Sequence, residues 1–464
     1  MKSTTYSPVG MSTGVHTGAK NIASQDKWRA IPFLVLMFSA GMPLTYQLEV
    51  ARTLTVADSA ELTMAATASQ NTANSMFFVL FICSLYIFAG WTLLRKPKTV
   101  TVLLSRQWPI FFLTLLIAAS AFWSHAPEKV MINIIHNVGT TLITIAAALR
   151  YRNSPWLFPK HVGYVVGANM VLHMMAVALI PAYAIDWQGR WHGLAPHANT
   201  LGALAFVVLW SNASILIFTK NDRYHLHLFF SGLAILAMYG ANSMTTMSCS
   251  VFVLLLMFTF YKMKKLSFQQ RVCFFILGMC LLIPLATALI SNIINLEHIL
   301  NAFGRDTKLT GRVSLWEDAV KAISEHPFFG WSFDDHVYLV RVSNMAFPNF
   351  HNGILDLAVN GGLIAVMLFI LILIIITVDY FKPSKIGASI APFSASFMLT
   401  FLVYSITEAN LVSPRAQMWE IFLALAFLGT CKNWSKPVFP NGPSQKMGPS
   451  IKPLPTVTPI MAKI

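Results

Sequence analysis

An all-α, polytopic membrane protein of about twelve transmembrane helices is the fold this sequence predicts. Three observations carry it. Of 464 residues, 56% are hydrophobic and only 11% are charged, where a soluble domain carries about a quarter charged residues. Apolar runs close to the ~20 residues needed to cross a bilayer recur along the chain. The Lys and Arg residues behind the net charge of +15 gather in alternate short loops. That is the pattern of membrane topology rather than of a nucleic-acid-binding face.

The elements follow in order. Residues 1–30 are polar and rich in Ser and Thr, with Lys27 and Arg29 directly before the first apolar run. No cleavage pattern follows that run, so it reads as a retained anchor helix. Spans are predicted near 31–48, 75–94, 108–124, 130–149, 162–184, 200–219, 226–241, 246–262, 271–293, 353–378, 388–406 and 416–431. Five cysteines (Cys83, Cys249, Cys273, Cys280, Cys431) lie in or beside apolar runs without metal or redox spacing, as small buried hydrophobes do.

One set of loops carries Arg95, Lys96, Lys98 and Arg106, then Arg150, Arg152 and Lys160, then Lys262, Lys264, Lys265 and Arg271. The other set mixes acids with bases: Glu49, Asp58 and Glu61 with Arg52, Glu128 with Lys129, Asp186 with Arg190. The positive-inside bias therefore puts both termini in the cytoplasm. The membrane domain is 31–431, and its longest loop, 294–352, falls on the outer side with five basic and seven acidic residues. The tail, 432–464, is rich in Pro, Gly, Ser and Lys and has no apolar face, as in disordered segments. No internal repeat suggests a transporter built from two related halves.

Three outer stretches hold the candidate chemistry. In "DWQGRWHGLAPHANTLG", residues 186–202, Arg190, His192, His197 and Asn199 gather where the chain re-enters the membrane. An Arg fork matches phosphate oxygens and can hold a lipid diphosphate from the interface. The alternative is an interfacial Arg-Trp anchor with capping polar residues.

In "LTGRVSLWEDAVKAISEHPFFGWSFDDH", residues 309–336, Ser314 and Glu317 have capping-box spacing. Leu315, Trp316, Ala319, Val320 and Ile323 form one apolar face, Pro327 ends the helix and Gly330 turns the chain. The expectation is an interfacial helix with Arg312 just before its start, as an anion site or as a partner of Glu317 or Asp318.

The third stretch is "AFPNFHNGILDLAVNGGLIAVMLFILILIII", residues 346–376. Asn352, Asp356 and Asn360 share a helical face, which must turn away from lipid toward protein or a wet cavity. Gly361-Gly362 predicts close approach by a neighbouring helix. His351, at the lip of that cavity, can accept a proton near neutral pH, or serve only as a cap. His136 and His173, inside spans four and five, read as packing residues or relays. Neither HExxH, Walker A nor Cys/His metal spacing occurs, so no metal or nucleotide cofactor is expected.

Together these residues resemble the O-antigen ligase and polymerase superfamily of bacterial envelope enzymes. The resemblance rests on the span layout, "SAFWSHAPE" (120–128), "RWHGLAPHANTLG", and "TGRVSLW…HPFFGWSF…HNGILDLAVNGGL", and covers residues 31–431. Its "TGR…W" and "HNG.LDL…GGL" look closer to exopolysaccharide polymerases than to lipid A-core ligases. The resemblance implies a metal-independent, inverting glycosyltransferase of the bacterial inner membrane, active at the periplasmic face. The donor would be a glycan on undecaprenyl diphosphate and the acceptor a sugar hydroxyl, on a growing glycan or on lipid A-core. Membrane lipids, a chain-length regulator and a flippase would be its partners, and no nucleic acid.

By the same resemblance His351 would be the base, and Arg190 and Arg312 would hold the diphosphate. His192, His197, Asn199, Trp316, Asn352 and Asp356 would complete the binding site. Two positions depart from the family pattern. Met244 in "NSMTT" stands where the family often has a basic residue, a gap that Arg305 or Lys308 would have to fill. Asn349-Phe350 stand where ligases commonly show a further His. A transporter or lipid-linked sugar flippase, and a non-catalytic scaffold, are the readings from other classes.

Overall fold

The computed structural model describes residues 27–40, 76–219, 223–263, 312–334, 349–381, 387–413 and 416–431. The first 26 residues, span nine (271–293), Arg305, Lys308, much of the long loop and the tail lie outside the described residues. Among the described residues the fold is all-helical, with a single isolated bridge between Ile185 and Trp191.

The helices are α1 (Ile31–Ser39), α2 (Met76–Leu94), α3 (Pro97–Arg106), α4 (Trp108–Ala119), α5 (Pro127–Tyr151), α6 (Leu157–Leu179) and α7 (Ala198–Phe218). After these come α8 (Tyr224–Ala241), α9 (Met244–Met263), α10 (Arg312–Glu325), α11 (Gly353–Phe381), α12 (Gly387–Tyr404) and α13 (Gln417–Thr430). Pro97, Pro109 and Pro127 stand in the first turns of α3, α4 and α5, where a missing N–H costs nothing.

Among the described residues six helices are long and apolar enough to cross a membrane, or seven if α3 and α4 form one bent span. Shorter apolar helices cover 28–39, 80–94, 392–404 and 417–430. The basic loop expected at 95–107 is instead largely helical, because α3 bends 83° from α4. Gln107 pins that corner, donating from Nε2 to Thr430 Oγ1 at 2.8 Å, with both side chains buried.

The core forms around α7 and α13, which are apolar on all sides and therefore sit inside the bundle. Every residue of α7 from Leu204 to Ile215 is buried, and α6, α8 and α9 pack around it. An aromatic seam joins α7, α12 and α13: Trp210 meets Phe397 at 4.7 Å, and Phe401 meets Phe422 at 5.2 Å. Trp210 donates its indole N–H to the Phe393 carbonyl, so its polar end is satisfied too.

Two expectations change in α11. The run 353–378 is not one straight helix, because Gly362 breaks it at φ 63 and ψ −165, a conformation that only glycine adopts cheaply. Nor does a helix fill the notch beside the glycines; the 327–331 segment does. Leu363 N donates to Pro327 O (2.8 Å), Ile364 N to Phe328 O (3.3 Å) and Trp331 N to Val359 O (2.8 Å). Three of the backbone groups freed by the break are thereby paired, as a kink near a membrane requires. The 19 residues after Gly362 rise ~28 Å, about one bilayer core, so 353–361 is a separate short helix above the span.

Helix α10 begins at Arg312, so Ser314 lies inside it and the expected capping box does not open the helix. Its buried face is Leu315, Ala319 and Ala322, packed on Phe350 and Val359. Val320, expected on that face, is 60% exposed. The i, i+4, i+7 spacing from Leu315 selects Ala322 instead, and the face meets protein.

Candidate functional site

Four connections converge at one end of the bundle: α6 to α7, α8 to α9, α10 to α11 and α12 to α13. Trp191 N donates to Gly240 O (2.8 Å), Gly353 N to Ser405 O (2.7 Å) and Thr407 Oγ1 to Thr245 Oγ1 (3.4 Å). These bonds lash the connections together.

The α6–α7 connection is a tight turn. Asp186 Oδ1 accepts from Gln188 N and Arg190 N, both at 2.9 Å. Asp186 N returns to Arg190 O at 2.8 Å. That turn delivers the Arg190 side chain inward. Its Nε donates to Ala241 O at 3.1 Å and its Nη2 to Asn199 Oδ1 at 2.8 Å. Asn199 then donates from Nδ2 to Glu408 Oε1 at 3.3 Å. Glu408 in turn faces His351, with Oε2 3.9 Å from Nδ1. Arg190, Asn199, Glu408 and His351 thus form one chain of polar contacts drawn from three separate connections.

His351 is held in an unusual backbone state, φ 48, uncommon for a residue with a side chain. Its neighbours impose it. Asn349 Oδ1 accepts from His351 N at 3.1 Å, and Asn352 caps α11 by accepting from Ile354 N and Leu355 N at 3.0 and 3.1 Å. Asp356 reaches back to take the Phe350 N–H at 2.9 Å, and Trp316 donates its indole N–H to Phe350 O at 3.1 Å. Phe350 itself is 1% exposed. The side chains of Asn352, Asp356 and Trp316 therefore brace the turn that presents His351, which is part-exposed beside a more buried Glu408.

His197 is the N-cap of α7, with Nδ1 accepting from Asn199 N at 3.1 Å. Its surface is exposed, but partial desolvation first, then the Arg190 charge, lower its pKa. The neutral ring that caps the helix is the form this favours. Glu408 and His351 also lie within its electrostatic reach.

His192 turns the other way. Its Nδ1–H donates to Ala195 O at 2.7 Å, and its ring meets Tyr183 edge-on at 5.6 Å. Of the remaining sequence candidates, Arg312 opens α10 but its side chain lies outside the described residues. His173 accepts from Leu194 N at 3.1 Å and steadies the α6–α7 connection, and His136 bonds Tyr86 at 2.9 Å.

Glu408 is the residue that sequence reasoning passed over. It is a lone carboxylate in "SITEANLV", with no motif to mark it. One signal was available: counting spans puts the connection after the eleventh run on the same side as His351.

Residues 228–370 match the family model described as O-antigen ligase. A curated relative, the O-antigen ligase of Pseudomonas aeruginosa strain PAO1, is 32% identical over 120 residues, which is 25% of this chain and 29% of that protein. The similarity thus spans under a third of that relative's length. The family segment contains α10, the start of α11 and with them Trp316, His351, Asn352 and Asp356. Arg190, Asn199 and Glu408 lie outside it and complete the same contact chain. Both matches are to O-antigen ligases, and the chain is similar to that family over less than a third of its length.

Proposed function

We propose that the protein is an integral-membrane glycan transferase that elongates a surface polysaccharide from undecaprenyl-diphosphate-linked oligosaccharide. The observation that supports this best is the contact chain Arg190–Asn199–Glu408–His351, which sets a cation and a base at opposite ends of one polar array. In this reading twelve spans cross the bacterial inner membrane, with both termini cytoplasmic and the site facing the periplasm.

The reaction needs no redox step. The acceptor hydroxyl gives its proton to His351, and its oxygen attacks the anomeric carbon from the side opposite the diphosphate. The bond from that carbon to the diphosphate oxygen breaks, the centre inverts, and the lipid diphosphate leaves with one more negative charge. Arg190, helped by Arg312, balances that charge where it develops. Glu408 stabilises the imidazolium formed when His351 takes the proton. His197, Asn199, Asn352, Asp356, Trp316 and His192 hold the connections that set this geometry.

A second reading, transfer of finished polysaccharide to lipid A-core, is suggested by the matched family and relative, both O-antigen ligases. The glycan profile of a deletion strain separates the two: loss of a polymerase leaves single repeats, whereas loss of a ligase leaves long chains on undecaprenyl. For the chemistry itself, purified wild type, His351→Ala and Arg190→Ala are given the lipid-linked oligosaccharide. Turnover should fall at least a hundredfold in both variants, about 2.7 kcal/mol. Wild-type turnover in both would sink the assignment.

A further inference from the structure

Two sequence motifs take no part in the contact chain, yet the fold joins them. "SAFWSHAPE" follows α4, and "HPFFGW" follows α10, some two hundred residues later. Between them lies a cavity of about 390 Å³ lined by Trp123, His125, His326, Phe329, Gly330 and Trp331. We infer that this cavity is a glycan subsite that seats a pyranose ring of the substrate chain. The inference rests on the transferase reading above and adds a place for the sugar.

The cavity is built in advance. Ser124 Oγ donates to buried Asp334 at 2.7 Å, Asn133 Nδ2 to Phe333 O at 3.0 Å, and Phe333 N to Ser120 Oγ at 3.3 Å. These bonds fasten the two motifs to each other. Trp331 is fixed by its indole bond to Ala322 O at 2.9 Å and its backbone bond to Val359 O at 2.8 Å. Trp123 and Phe329 stand edge to face at 5.9 Å, and His326 and Trp331 at 4.3 Å. A ligand entering such walls has little left to order.

Its chemistry selects the occupant. A pyranose has apolar C–H faces that lie on aromatic rings and a perimeter of hydroxyls that need partners. Here three aromatic side chains supply the walls, and exposed His125 and His326 supply ring nitrogens. Trp123 Nε1 is buried and has no hydrogen-bond partner among the described residues. An orphaned buried donor is a cost that an occupant carrying hydroxyls can relieve and a prenyl chain cannot. The size is near the lower end of ligand cavities, about 300–1,000 Å³, which suits one or two rings and not a whole repeat. Val359, bonded to Trp331, lies about 9 Å along α11 from Gly353, two residues past His351, a reach that a short oligosaccharide can span.

The test uses the full chain in detergent and two binding probes; turnover is read with undecaprenyl-diphosphate-linked oligosaccharide as donor and the first probe as acceptor. One is the oligosaccharide freed by mild acid from the lipid-linked pool of cells lacking this protein. The other is farnesyl diphosphate, a prenyl diphosphate without sugar. Binding is measured calorimetrically for wild type, Trp123→Leu and Phe329→Ala; Phe329 is 56% exposed, so its removal spares the fold. Each variant should bind the oligosaccharide about tenfold more weakly, as loss of an aromatic wall implies. Each should also raise its KM with kcat retained, and leave farnesyl diphosphate binding unchanged. If wild type elongates the oligosaccharide and both variants bind it equally well, the subsite is refuted alone. Weakened binding of farnesyl diphosphate instead refutes it in favour of a prenyl groove. If wild type neither binds nor elongates the oligosaccharide, the transferase reading falls and takes the subsite with it.

Discussion

Replacing Glu408 by Gln isolates one electrostatic contribution. The substitution keeps an oxygen able to accept from Asn199 and removes only the negative charge facing His351. With 3.9 Å between the two groups, a unit charge pair is worth about 4 kcal/mol at an effective dielectric of 20 and about 1 in water. The side chains are 24% and 12% exposed, so an intermediate value of about 1.5–3 kcal/mol is expected, or roughly a 10- to 100-fold loss of kcat. That loss should fall on kcat and not on KM, because in the proposed reaction the carboxylate assists the step in which the acceptor proton moves to His351. The assay is single-turnover elongation of lipid-linked oligosaccharide across pH 5–9. Glu408→Ala, which also leaves Asn199 without its acceptor, should cost more and disturb KM through Arg190. A Glu408→Gln enzyme with wild-type kcat across that range would show that the carboxylate does not assist the base.

Two further outcomes follow from the same geometry. Gly362→Ala puts a Cβ at φ 63, against the Phe328 backbone, and should destabilise the protein by more than about 2 kcal/mol; thermal unfolding in detergent reads it, and an unchanged Tm would mean that the break is not needed. His197 gives a pH effect with a definite sign: its folded pKa lies below the ordinary value of about 6.5, so its contribution is present above pH ~6.5 and is lost as pH falls through the lowered value. His197→Asn, which caps at any pH, should therefore flatten the fall in Tm between pH 7 and 5, by up to about 1 kcal/mol and less for so exposed a side chain.

How much of this was legible in the sequence depends on the length scale of each feature. The helices were, because burial or lipid contact writes itself into runs of apolar residues; α5, α6 and α7 lie within a few residues of their expected bounds. His351 and Arg190 were legible as polar groups at the ends of such runs. The break at Gly362 was not, since a glycine within an apolar run reads equally as a packing notch, and only the segment 327–331 lying against it decides the matter. Glu408 was hidden for a similar reason. Its meaning comes from Asn199 and His351, 209 and 57 residues away, and no local pattern encodes such a meeting.

The broken helix also explains how Asn352 and Asp356 of the polar stripe Asn352–Asp356–Asn360 find partners, while Asn360 Oδ1 is buried without one among the described residues. Within a continuous span, three polar residues on one face would sit in the bilayer and need partners there. The kink instead leaves them on a short helix whose N-terminus is open to side-chain and backbone donors. Asn352 uses that position to cap, Asp356 to hold Phe350, and Val359 offers its carbonyl to Trp331. One glycine conformation thus serves both places at once. It stations His351 beside Glu408 at one end of the short helix, and at the other end it seats the segment that carries Phe329 and Trp331 into the aromatic cavity. A substitution at Gly362 should accordingly disturb proton transfer and sugar binding together, whereas Glu408→Gln disturbs only the first and Phe329→Ala only the second.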